Sequence, residues 1–141
     1  MEGPTFRALL GFQMVAAIGL LAVLVLSPGP WNRQRVIGSA LAVIGIAGVF
    51  TARYQLGRSF SIMPQARKLV THGLYSRIRN PIYIFGSIAF AGVVLVWRLR
   101  WGWILLLALI AMQTWRARKE ARVLEAKFGD DYRRYRGQTW F

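Results

Sequence analysis

Charged residues are missing from four runs of the chain, Ala8–Leu26, Val36–Ala52, Ile82–Trp97 and Trp101–Trp115, and crowd the stretches between them. Each run approaches the ~20 residues needed to cross about 30 Å of hydrocarbon; the last two are short and rely on local thinning or on snorkelling flanks. The pattern predicts an all-α integral membrane protein of about four transmembrane helices, in one membrane domain spanning residues 1–141. Arg7 followed by an apolar run has the outline of a signal peptide. The run is long, however, and "LSPGPW" holds no small-x-small cleavage site, so a retained helix is expected.

Two finer patterns lie on this frame. Gly38, Ala42, Gly45 and Gly48 form one small-residue stripe on the second run, suited to close approach of a neighbouring backbone. After Trp115, Ala117, Ala121, Leu124 and Phe128 fall on one helical face with charges on the other, and Gly129 supplies a stop. Such a basic amphipathic helix either lies in the cytoplasmic interface or extends the fourth span into water.

Charge orients the spans. The net charge is +14, and with four spans the N-terminus, the 52–81 loop and the C-terminal tail share one side. They carry all the Lys and Arg except Arg33, Arg35, Arg98 and Arg100, so the positive-inside rule predicts a multi-pass protein with both termini cytoplasmic. Trp31, Trp97, Trp101 and Trp115 end the runs, where amphipathic rings sit at headgroup level. Arginines flanking apolar runs point to anionic lipid headgroups as the acidic partner and away from nucleic acid. No cysteine and a single histidine, His72, leave no thiol nucleophile and no metal site in view. His72 reads as a solvated loop residue.

Two cytoplasmic segments, about 69–86 and 116–135, carry more than anchoring chemistry. In "YSRIRNPIYIFG", Asn80 is suited to cap the third span and Pro81 to fill its first turn. That places a helix N-terminus beside Arg77 and Arg79, an arrangement that attracts a carboxylate or phosphate. In "RARKEARVLEAKFGDDYRRY", Glu120 is a carboxylate near the membrane boundary in a field of Arg and Lys. There it stays ionised and suits holding a cation; the plain alternative is an intrahelical pair with Arg116 or Lys119.

Together the two segments resemble the membrane methyltransferase family that includes isoprenylcysteine carboxyl methyltransferases and phospholipid N-methyltransferases. The matching residues are Leu56-Gly57, Phe60-Ser61, Leu69-Val70, Gly73, Tyr75, Arg79, Pro81, Tyr83 and Gly86, then Glu120, Leu124, Phe128-Gly129, Tyr132 and Tyr135. The resemblance implies an S-adenosylmethionine-dependent methyltransferase acting at the cytoplasmic face on a membrane-embedded lipid or prenyl-like acceptor, a carboxylate or an amine. It implies a cofactor site with Gly73, Leu74, Tyr75, Arg79, Asn80, Pro81 and Tyr83 on one wall and Glu120 on the other. Glu120 suits the α-ammonium, Arg79 or the helix N-terminus the α-carboxylate, and Tyr75 or Tyr83 the adenine or sulfonium. Arg79, Asn80 and Tyr83 are the candidates for a catalytic role.

The chain departs from the family pattern in two places: Asn80 stands where histidine is usual, and Ala121 where a second glutamate is expected. It also lacks the proline-containing segment that often closes family members, which predicts a short lid. Two other readings remain: a sterol-reductase-like enzyme using a nicotinamide dinucleotide, because the R-x-P-x-Y pattern is shared, and a non-catalytic membrane protein with a decayed cofactor site.

Overall fold

The computed structural model describes residues 4–57 and 69–141, with side chains from Arg7 onward. Motif residues Phe60-Ser61 and loop cations Arg58, Arg67 and Lys68 lie outside the described residues. The described chain is helical: α1 Pro4–Leu26, α2 Arg33–Leu56, α3 Pro81–Trp97, α4 Gly102–Phe128 and α5 Asp130–Gln138, with a 3-10 turn at Gly73–Ser76. Two of these, α1 and α2, are long and apolar enough to cross a bilayer; α3 is apolar but shorter. Apolar side chains face outward over much of the surface, among them Phe12, Val15, Leu105 and Leu107.

The small-residue stripe of α2 meets α3. A Cβ on Gly45 would fall on the Ala89 backbone, one on Gly48 on the Phe85 ring, and one on Gly38 would lie 2.8 Å from the Gly92 carbonyl oxygen. Gly92 returns the contact, since a Cβ there would approach the Ala42 nitrogen to 2.5 Å. With no side chain between them the two backbones touch, and dispersion over that contact replaces the hydrophobic drive that lipid does not provide.

Between α1 and α2 the joint is polar. Asn32 caps α2, accepting from the Arg35 backbone N–H at 2.9 Å. The Arg35 guanidinium then turns back onto the end of α1, donating to the carbonyl oxygens of Leu24, Val25, Ser27 and Gly29 at 2.6–3.1 Å. It lies 4.4 Å from the centre of the Trp31 ring. The last carbonyls of α1 thus gain donors and a positive charge against the negative end of the helix. Patterning had assigned Arg35 only to a short flank on the side opposite the basic loops; its role as a cap depends on the turn that "SPGPW" makes.

The fourth apolar run and the basic amphipathic segment form one continuous helix, α4, so the segment continues the run without a break. Gly129 ends it at φ +54°, with its N–H donated to the Glu125 carbonyl. The chain then enters α5, a helix that periodicity did not single out, and α5 buries Tyr132 and Tyr135.

Candidate cofactor site

The site begins with the turn before α3. Gly73 adopts φ +60°, and a Cβ there would strike the side-chain amide of Gln55 on α2. The close approach lets Gln55 Oε1 accept from the Leu74 backbone N–H at 2.7 Å. Below the turn, Ala52, Val70 and Tyr75 form a buried cluster, joined by Leu56, Leu74 and Ile82. Gln55 was missed in the sequence: one polar residue at a helix end carries no signal until the turn folds onto it.

The C-terminal segment closes the other side. Tyr135 Oη donates to the Tyr75 carbonyl at 2.7 Å. Beyond α5 the chain runs parallel to the residues preceding α3: Trp140 N–H donates to the Arg77 carbonyl at 3.0 Å, Arg79 N–H to Trp140 at 3.1 Å and Asn80 N–H to Phe141 at 2.9 Å. These bonds strap the C-terminal tail to the turn before α3.

The strap takes the backbone amides of Arg79 and Asn80, just before α3, and Arg79 itself is half-buried. Its Nε is buried and has no hydrogen-bond partner among the described residues. Asn80 occupies the cap position, but its side chain makes no capping bond; at φ −125°, ψ 59° it is outside the usual extended cap geometry. Pro81 fills the first turn as expected, and it is fully buried, a packing residue and not a lining one. Tyr75 is likewise a core side chain, 6% exposed, which removes it as a stacking face. His72 is exposed, as expected, and its carbonyl accepts from Tyr75 N–H.

Across the α3–α4 seam the two predicted walls touch. Tyr83 Oη donates to Glu120 Oε1 at 2.7 Å, and Arg116 Nε donates to the same oxygen at 3.0 Å. The intrahelical pair exists, but with Arg116 preceding Glu120 it runs in the weaker orientation, and Tyr83 shares the oxygen. Both of these bonds fall on Oε1.

Burial, then the neighbouring Tyr135 and Glu120, push the Tyr75 phenol well above its ordinary range. Burial and Tyr132 push Tyr135 up to about 12, against a lowering by Arg79. Both phenols therefore stay neutral through physiological pH, and Tyr135 keeps the proton it donates to the Tyr75 carbonyl. Because Tyr135 ionises later folded than unfolded, its contribution to stability is complete below about pH 10 and is lost as pH rises toward 12. Thermal unfolding of the wild type between pH 8 and 12 should show that loss, and Tyr135→Phe should make it shallower while lowering Tm at neutral pH. An unchanged alkaline slope in the variant would mean that the Tyr135–Tyr75 bond does not hold the strap.

The model of phospholipid methyltransferases matches residues 33–131, from the start of α2 into α5, and so takes in Tyr83, Arg79 and Glu120. The chain belongs to the phospholipid methyltransferase family. No curated protein and no solved structure matches it. The family assignment makes it a methyltransferase by descent and places it among membrane proteins, in keeping with α1 and α2. The family match leaves out α1 and the strap at 140–141, the two parts tied on by Arg35 and by the amides before α3.

Proposed function

We propose that the protein transfers a methyl group from S-adenosylmethionine to a lipid-like acceptor held in the bilayer, at the cytoplasmic ends of α3 and α4. The observation that carries this reading is the meeting of Tyr83 and Glu120, whose bonds from Tyr83 and Arg116 both fall on one carboxylate oxygen; the Arg79 Nε, buried and without a partner among the described residues, is a further candidate group. The donor set fits the cofactor: the Glu120 carboxylate takes the α-ammonium, Arg79 the α-carboxylate, and Tyr83 offers the aromatic face that Tyr75 does not. Gly73 and Leu74 supply the turn that holds the wall in place.

When bound, the cofactor supplies an already activated sulfonium methyl. The chain's residues then have to align the acceptor with it and keep water out, work that needs few titratable groups. That is why Asn80 in place of histidine weakens an acid–base role there without weakening binding. For the topology, the outward apolar side chains of α4, Ile104, Leu105, Leu107 and Met112, suit lipid contact and support α3 and α4 as a third and a fourth span. Both termini then share the cytoplasmic side, where the basic half of α4 and α5 meets anionic headgroups.

Equilibrium binding of S-adenosylmethionine to the detergent-purified protein tests the reading, with NADPH as competitor. Saturable binding that NADPH does not displace is expected. Glu120→Gln should weaken it about tenfold, since a charge-assisted bond becomes a neutral one. Displacement by NADPH would favour the reductase reading, and no binding by folded protein would favour a site without catalysis.

A further inference from the structure

Seven residues before Glu120, α4 carries a second polar residue facing α3. Gln113 Oε1 accepts from Ser87 Oγ at 2.8 Å, and this side chain's Nε2 donates to no protein group among the described residues. Its setting is unlike the rest of the α3 surface. Where α3 faces α2, added Cβ atoms collide with backbone; at Gly86 a Cβ would meet Gln113 Nε2 at 3.8 Å and no other described atom within 4 Å. Packing is tight where α3 meets α2 and looser at Gly86, where an added Cβ would make only an ordinary contact with the Gln113 amide.

Gln113 is half-buried, so its Nε2 donors remain within reach of an acceptor at the α3–α4 surface. The geometry points to a subsite in which Gln113 Nε2 donates to an ester or phosphate oxygen of the acceptor lipid, with Gly86 leaving the room and Ser87 fixing the amide's orientation. This rests on the reading of the seam as the acceptor's place. Gln113 lies about 10 Å along α4 from Glu120, and Ser87 about 6 Å along α3 from Tyr83, from helical rise alone. A lipid held by such an oxygen would extend its reactive end toward Tyr83 and Glu120 and its chains toward the bilayer.

The test is thermal unfolding of the purified protein with added dioctanoyl phosphatidylethanolamine, dioctanoylglycerol or octylamine. At saturating concentrations the phospholipid should raise Tm by about 5 °C, and octylamine, which has neither oxygen, should not. Dioctanoylglycerol separates the two sources: an equal shift assigns the ester oxygen, a lost shift the phosphate. Gln113→Leu should abolish the phospholipid shift, and Glu120→Gln should keep it. Gly86→Leu, which crowds the Gln113 amide without removing it, should abolish it too and serves if Gln113→Leu does not fold. No shift in the wild type, the same shift with octylamine, or a wild-type shift in the folded variants would overturn the subsite. S-adenosylmethionine binding, measured on the same preparations, reports separately on the methyl-transfer reading, because the lipid shift needs no cofactor.

Discussion

Gly45→Leu is expected to leave no folded, monodisperse protein in detergent, whereas Gly19→Leu should be recovered like the wild type. The asymmetry follows from what a side chain would meet. At Gly45 the obstacle is the backbone of Ala89 and the carbonyl of Phe85, neither of which can rotate away, and at Gly19 nothing lies within 4 Å. Overpacking a core ordinarily costs about 1–3 kcal/mol because side chains yield. Here the helices themselves must separate, and the contact through Gly38, Ala42 and Gly92 opens with them. The cost therefore exceeds about 3 kcal/mol, a large share of the 5–15 kcal/mol typical of a folded domain. Size-exclusion chromatography of the two variants beside the wild type reads the outcome. A monodisperse Gly45→Leu protein with unchanged Tm would show that α2 and α3 do not pack as described.

The second large effect is on the cofactor wall. Gly73→Ala should lower S-adenosylmethionine affinity about thirtyfold or more while leaving the protein folded. An L-residue in the left-handed region costs about 1–2 kcal/mol. The new methyl also displaces the Gln55 amide, taking away the Gln55–Leu74 bond, worth about 1 kcal/mol. Together these come to about 2–3 kcal/mol, or about 30- to 150-fold if the turn gives way in the free protein. Gly57→Ala is the control. Gly57 has a similar φ, +52°, but no described atom within 4 Å of an added Cβ, so it carries strain without collision. Calorimetric titration of both variants decides: equal losses would mean that backbone strain alone is at work and that Gln55 does not set the wall.

Much of this was legible along the chain, and particular residues show why. Gly129 marked a helix stop and Pro81 a helix start because each acts through its own backbone, whatever surrounds it. Glu120 stood out because a carboxylate among so many cations is conspicuous in one dimension. Asn80 shows the limit of the same logic: its residue type favours a cap, but the turn before α3 and the strap at Trp140 and Phe141 leave its side chain without that bond. Tyr75 shows it again, since an aromatic near a motif reads alike whether it faces a ligand or the core.

By itself, then, the order of residues determined the helical class, the positions of the apolar runs, the small-residue face of α2 and the family, because hydropathy, backbone preference and motif spacing are local quantities. Only the tertiary structure decided that α3 is the partner of that face, that Arg35 caps α1, and that the C-terminal tail takes the amides before α3. It also brought Tyr83 onto Glu120 and Ser87 onto Gln113. Each of these joins groups distant in sequence or waits on a turn to bring them together, and hydrogen bonds and close packing act over a few ångströms that exist only once the helices are side by side.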